Sequence, residues 1–271
     1  MSNSARINKP YSTEGWERHE LTVGGIETVT YAAGGGPDVV YLHGGGTFHG
    51  FEFARDWVAQ FRVWLPYIPG FGESADAPNL VTLHDYARYL RTLIDALGVG
   101  RAHLVGASMG GLLAAKIAVA NPERVRTLVL VAPAGLMLAD FPMPDFSRIA
   151  HGDWPGYFVF DRTVIRPFWP EVPDAAFVAQ RAREAGTAGR LTGEALATQE
   201  QFARSLESLN VPTLLIWGRE DRMMPAGNAS AWQGHLPNSI LQIVERAGHL
   251  LLDESVAARS EIARYILASG R

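Results

Sequence analysis

A short apolar run, Ala102-His103-Leu104-Val105, leads without a spacer into Gly106-Ala107-Ser108-Met109-Gly110, and the small-residue stretch Leu112 to Ala120 follows. That order constrains the local path to a strand, a sharp turn and a helix folded back against the strand. The two outer glycines permit a close approach where a Cβ would collide. A serine at the centre of such a turn is held under backbone strain, with its hydroxyl exposed as a nucleophile. Gly-x-Ser-x-Gly taken alone also describes an ordinary Gly/Ser turn. Its meaning therefore rests on residues far along the chain.

A serine hydroxyl attacks poorly until an imidazole takes its proton, and the imidazole needs a carboxylate to fix its tautomer and stabilise its charged form. Both partners are present downstream and in order. Val211 to Gly218 reads as a buried strand with Asp221 just past its end and Pro225 opening the next helix. Ser239 to Val244 reads as the next strand, and His249 follows it. Ser108, Asp221 and His249 thus each fall just beyond the carboxyl end of an expected strand, where open α/β sheets gather their sites. Glu220 is the rival acid by proximity. Among the other histidines, His103 lies inside an expected strand and His84 and His19 near element starts. His235 follows a helix, where it would meet carbonyls.

Around these residues the chain alternates between two periods. Arg18 to Val23 and Ile26 to Ala33 flank Gly24-Gly25 and read as a hairpin. Asp38 to Leu42, Phe61 to Ile68, Arg101 to Ala107 and Arg126 to Ala132 read as further strands. Leu83, Tyr86, Leu90, Leu93, Ile94 and Leu97 fall at helical spacing, with Gly98 as a stop. Met109 to Asn121 is a second helix, and Val256, Ile262, Ile266 and Leu267 mark a closing one. Such alternation predicts an α/β fold with a mostly parallel sheet of about eight strands covered by helices on both faces. Gly34-Gly35-Gly36-Pro37 reads as a connector, because no Lys-Ser/Thr ending and no helix follow it.

Residues 136–208 break the rhythm. Their first half is dense in proline and aromatic residues, which disfavours long elements, while the stretch from Asp174 to Leu209 is helix-prone. A structureless loop of that length is foreign to a compact domain, so a helical cap inserted after the sixth strand is expected. The division is then an N-terminal arm at 1–17, a core at 18–135 and 209–271, and the cap at 136–208.

Composition narrows the remaining choices. A chain of 271 residues with 47 % hydrophobic and 19 % charged residues suits one enzyme-sized domain. A net charge of −4 gives no electrostatic reason to expect nucleic acid or an anionic membrane as partner. The absence of cysteine excludes disulfides and thiolate metal sites. No run approaches the ~20 apolar residues of a membrane span, and Met1 to Pro10 holds no signal-like apolar core. A cytoplasmic protein is expected, with room for a homodimer.

From about Leu21 onward the sequence resembles the α/β-hydrolase family. The resemblance is carried by His43-Gly44-Gly45-Gly46, Pro69-Gly70-Phe71-Gly72-Glu73-Ser74, Gly106-Ala107-Ser108-Met109-Gly110-Gly111, Trp217-Gly218-Arg219-Glu220-Asp221 and Gly248-His249. It implies the α/β-hydrolase fold with Ser108 as nucleophile, His249 as base then acid, and Asp221 as orienting carboxylate. The backbone N–H groups of Gly45 and Met109 would form the oxyanion hole, with Gly46 a close rival of Gly45, and His43 would shape that loop. No metal or organic cofactor is implied. The expected reaction is hydrolysis of a small, largely apolar ester through an acyl-enzyme, with water as the final acceptor. Phe48, His49, Trp154 and Phe158 are candidate substrate contacts. His151 and Arg166 are the cap cations to inspect for a substrate carboxylate. Tyr67 stands where the family often has aspartate, which puts a loop hydrogen bond in doubt.

Two alternatives share this machinery. One is a carbon–carbon bond hydrolase of the meta-cleavage-product type, against which stand Leu250 where that subfamily tends to carry Trp and Thr47 where it usually carries Pro. The other is a ligand sensor that keeps the triad but turns over slowly.

Overall fold

The computed structural model describes residues 12–269. Residues 1–11 of the expected arm lie outside the described residues. From Ser12 the chain is tied down, since Arg55 donates to the carbonyls of Ser12 and Glu14.

Among the described residues eight strands form one sheet, in the order β1-β2-β4-β3-β5-β6-β7-β8. β1 (Glu17–Val23) and β2 (Ile26–Ala33) pair antiparallel with Val23 opposite Ile26. Gly24 and Gly25 turn the hairpin at φ 55° and 80°, the left-handed pair that a two-residue turn matching strand twist requires. β2 also pairs antiparallel with β4 (Arg62–Pro66). From β3 (Asp38–Leu42) outward the pairing is parallel, through β5 (Ala102–Ala107), β6 (Val125–Val131), β7 (Thr213–Gly218) and β8 (Ser239–Val244). The strand expected over 61–68 is shorter, because Tyr67 and Ile68 leave the ladder to begin the Pro69-Gly70 loop.

Strand period two sorts the core. Val40 and Leu42 face one side of the sheet, where α1 (Leu83–Ala96) and α2 (Met109–Ala120) lie. Val39 and Tyr41 face the other, against the closing helix. α1 begins at a capping box, in which the Thr82 hydroxyl accepts from Asp85 N–H and the Asp85 carboxylate accepts from Thr82 N–H. α2 is apolar on nearly every side and correspondingly buried.

Between β6 and β7 the chain forms the helical cap. Its proline-rich half yields 3-10 turns at Phe146–Arg148 and His151–Asp153 and the short α3 (Pro155–Phe158) and α4 (Arg162–Ile165). Its second half yields α5 (Ala175–Ala197), capped by Asp174, and then α6 (Gln199–Leu206). Phe158, Val159, Ile165 and Trp169 of the cap join Phe48 of the core in an apolar cluster separate from the two main ones. α7 (Ala229–His235), α8 (Leu251–Glu254) and α9 (Val256–Ser269) complete the core. Among the described residues no helix is long and apolar enough to cross a membrane.

Candidate active site

Ser108 sits between β5 and α2 at φ 52° and ψ −121°, a left-handed conformation that costs a non-glycine residue roughly 1–3 kcal/mol. The strain is held from both sides. A Cβ on Gly106 would lie 2.4 Å from the Gly110 carbonyl oxygen, and one on Gly110 would lie 2.1 Å from that of Leu42. Ser108 N–H donates to Val131 O at 2.9 Å, and its carbonyl accepts from Ala134 N–H at 3.0 Å. Strand and helix therefore close around the serine as the motif requires.

His249 and Asp221 meet. The imidazole Nδ1–H donates to Asp221 Oδ2 at 2.8 Å, and both residues are buried. Asp221 Oδ1 accepts from the N–H groups of Met223 and Met224, each at 2.8 Å, so the carboxylate is aimed by the turn that follows its own strand. Glu220, the rival acid, accepts instead from Ala247 N–H. Glu254 fixes the histidine loop by accepting from Gly248 N–H at 2.6 Å and from Asp161 N–H of the cap at 2.8 Å. Leu250 N–H adds a bond to Phe158 O at 2.8 Å.

Ser108 and His249 open onto one cavity of about 480 Å³ beneath the cap. Among the described residues no hydrogen bond joins their side chains; such contacts commonly tighten only when substrate arrives. Gly44, Gly45, Gly46 and Met109 also line the cavity. The loop rests against the serine, for a Cβ on Gly44 would lie 3.2 Å from Ser108 Cβ. His43 spends both ring nitrogens on the backbone, Nδ1–H to Gly44 O at 2.7 Å and Nε2 from Ile68 N–H at 2.9 Å. Burial lowers its pKa to about 4, so it is a neutral brace for the loop.

Phe48, His49, Trp154 and Phe158 all line the cavity. His49 carries a carboxylate of its own, Asp253, at 3.2 Å. The two cap cations singled out in the sequence do not reach the cavity. His151 stacks on Trp169 and bonds Pro170 O at 2.8 Å, which makes it part of the cap's own core, and Arg166 is exposed just past the end of the short α4. The cation that lines the cavity is Arg181 on α5, with its guanidinium 4.9 Å from the Phe48 ring centroid. Glu184, one turn on, is fully buried beside it. Arg181, Glu184 and Asp253 escaped the sequence reading because none sits in a motif. The helix-prone pattern marks α5 but not which face meets the site. In the loop that follows Tyr67, Gly72 N–H donates to Glu184 at 3.1 Å. Among the described residues no group of three or more His, Asp or Glu is arranged to hold a metal ion.

A strained serine at a strand-to-helix elbow, opposite a buried imidazole–carboxylate pair, defines a class of protein. Residues 39–261 match the model of the alpha/beta hydrolase family, and the chain belongs to that family. It is a hydrolase of that fold, similar to several named relatives. The 2-hydroxy-6-oxo-6-phenylhexa-2,4-dienoate hydrolase of Burkholderia cepacia is 30% identical over 268 residues, covering 88% of this chain and 90% of that protein. Among solved structures, the 2-hydroxy-6-oxo-6-phenylhexa-2,4-dienoate hydrolase of Rhodococcus sp. strain RHA1 superposes with a TM-score of 0.73 at 21% identity, covering 93% of this chain and 99% of that one. Naproxen esterase of Bacillus subtilis superposes with a TM-score of 0.72 at 21% identity, covering 93% and 91%. These two likenesses speak to the fold alone.

Proposed function

We propose that the protein hydrolyses a small, largely apolar carboxylic ester through an acyl-enzyme on Ser108. The observation that carries this reading is the 2.8 Å contact of Asp221 with His249, which lines the same cavity as Ser108. His249 takes the serine proton as Ser108 attacks the carbonyl, then gives it to the leaving alcohol and activates water for deacylation. Asp221 keeps Nδ1 protonated, so that Nε2 is the free base. The oxyanion is held by the N–H groups of Gly45 and Met109, the latter at the N-terminus of α2 where the helix dipole adds to it. Phe48, His49, Trp154 and Phe158 contact the substrate under a cap spanning 136–208. No cofactor takes part. Nothing in charge or composition calls for nucleic acid or membrane, and we place the protein in the cytoplasm as a monomer or homodimer.

A second reading, hydrolysis of a carbon–carbon bond in a meta-cleavage product, gains from one observation. Arg181, paired with Glu184, lines the cavity, and the dienoates for which the relatives are named carry a carboxylate that a guanidinium could bind. Leu250 and Thr47 still depart from that subfamily's pattern. A slow-turnover sensor is the third use of the same site.

Short p-nitrophenyl esters and a fluorophosphonate probe test the first reading. Steady multiple turnover is expected, with labelling at Ser108, and Ser108→Ala should abolish both. Labelling retained in Ser108→Ala would move the nucleophile elsewhere, and a single burst without release would mark a sensor.

A further inference from the structure

Glu184 belongs to the cap, yet it has no exposed surface (0%) and touches the core's loops. Its carboxylate accepts from Thr47 N–H at 3.0 Å, from the Thr47 hydroxyl and from Gly72 N–H at 3.1 Å. Gln180 Nε2 at 3.2 Å and the Arg181 guanidinium at 3.2 Å complete the set. Every one of these partners is a donor. Only an ionised carboxylate, which accepts at each lone pair, satisfies them together; an amide would turn its own N–H groups onto other donors. Burial pushes the carboxyl's pKa up, but the Thr47 hydroxyl, the Arg181 charge, the Thr47 amide and Gln180 together hold it below the usual range.

The residue it grips is informative. Thr47 directly follows Gly44-Gly45-Gly46, and Gly72 belongs to the loop after β4. α5 is seated on both loops. A Cβ on Gly45 would lie 2.9 Å from Ala188 Cβ, one on Gly46 2.3 Å from an Arg181 nitrogen, and one on Gly70 3.0 Å from Thr187 Oγ1. Arg181, Glu184 and Ala188 recur at helical spacing, so a single face of the cap helix covers the glycine loop.

We infer that Glu184 is a positioning residue of the hydrolytic site: by holding Thr47 it sets the direction of the Gly45 N–H, so that the oxyanion hole is complete only with the cap seated. This rests on the reading of Ser108 as nucleophile and of the glycine loop as oxyanion donor. A bare carboxylate near a developing oxyanion would oppose it. Here Arg181 neutralises the charge, so Glu184 acts through geometry. An oxyanion donor displaced by a fraction of an ångström loses much of its worth, because its contribution depends on being aimed in advance. Two of the three departures named from the sequence, Thr47 and Tyr67, then share one account. Thr47, in place of Pro, supplies the N–H and O–H that Glu184 needs, and Glu184 takes the loop amide near Tyr67.

The test compares wild type, Glu184→Gln and Thr47→Val on p-nitrophenyl esters. It adds inhibition by an alkylboronic acid, whose adduct presents an anionic oxygen to the hole, and by an alkylbenzene of equal size, which only fills the cavity. Glu184→Gln should lower kcat about 10- to 100-fold and weaken the boronic acid by a similar factor, with KM and alkylbenzene inhibition within about threefold. Thr47→Val, which removes the hydroxyl that donates to Glu184 and accepts from Gln180 but keeps the Thr47 N–H, should shift the same two quantities about 3- to 10-fold, and it decides the matter if Glu184→Gln fails to fold. A lowered melting temperature with kcat and boronic acid affinity unchanged in the variants would leave Glu184 a structural residue and overturn the inference. A wild type that neither turns over esters nor labels at Ser108 would instead sink the hydrolytic reading, and this inference with it.

Discussion

The strand ends of the core and the cap above them hold their functional side chains by different means. In the core Ser108, Asp221 and the Gly248 loop are fixed by neighbours within a few residues, and His249 is then held by Asp221 from 28 residues away. The turn strains Ser108, Met223 and Met224 aim Asp221, and Glu254 braces Gly248. In the cap the functional groups are held across the molecule, with Glu184 meeting Thr47 over a sequence separation of 137 residues. On the proposed reading, the groups at the strand ends would carry the bond-breaking chemistry, and those of the cap would govern what enters and whether the oxyanion loop is shaped. The difference predicts that core substitutions act chiefly on kcat and cap substitutions chiefly on selectivity, with Glu184 the exception because it reaches down into the core.

The largest effect should come from Asp221→Asn. An amide there can still take the Met223 and Met224 N–H groups but reverses the histidine tautomer, leaving Nε2 protonated and useless as base. A fall in kcat of about 10³- to 10⁴-fold is expected at neutral pH, with KM and the unfolding midpoint little changed. Steady-state ester kinetics beside denaturant unfolding would show it. A loss under tenfold would mean that Glu220 or another carboxylate orients His249.

The same contrast explains what the sequence made legible. Gly106-Ala107-Ser108-Met109-Gly110, the largely apolar run of Asp38 to Leu42 and the Gly24-Gly25 turn are local patterns, and each is found as an element where the pattern placed it. The order Ser108, Asp221, His249 could be read because strand ends are recognisable without coordinates. The cap allowed less. Proline in its first half correctly pointed to short elements, and the stretch from Asp174 correctly to helix. Which cation faces the cavity was not readable there. His151 and Arg166 were conspicuous beside aromatic residues, while Arg181 sits in an ordinary amphipathic helix and gains its place only through the packing of α5 on Gly46. The Asp253 partner of His49 was hidden for the same reason, since 204 residues separate the two.

Acid should also separate the regions. His103, in β5, is buried with Nδ1 at 2.8 Å from Thr127 Oγ1, and burial lowers its pKa from 6.5 to about 4. The folded state keeps this imidazole neutral, so the unfolded chain binds a proton first as pH falls. Its contribution is whole above pH 6.5 and is lost between there and pH 4, which amounts to about 3 kcal/mol if the shift is fully expressed. Urea unfolding of wild type and His103→Asn at pH 7 and pH 4.5 measures it. The variant should be weaker at pH 7 yet lose less on acidification. Equal losses in both proteins would mean that the core sheet tolerates a charged His103.

The smallest of these effects is the most informative about substrate. Arg181 lines the cavity but also pairs with Glu184, so if Glu184 positions the oxyanion loop, removing Arg181 should harm every substrate. A pair of substrates separates the two roles. The p-nitrophenyl half-ester of a dicarboxylic acid offers Arg181 a carboxylate, and p-nitrophenyl butyrate does not. In Arg181→Gln, kcat/KM for the half-ester should fall about 10- to 30-fold further than for butyrate, the worth of one charge-assisted hydrogen bond in a sheltered site. A larger differential would favour the carboxylate-bearing dienoates of the meta-cleavage reading over a neutral ester. Equal losses on both substrates would mean that Arg181 serves Glu184 alone. The cap would then select by shape, through Phe48, Trp154 and Phe158, and the contrast between core chemistry and cap recognition would narrow to a question of fit.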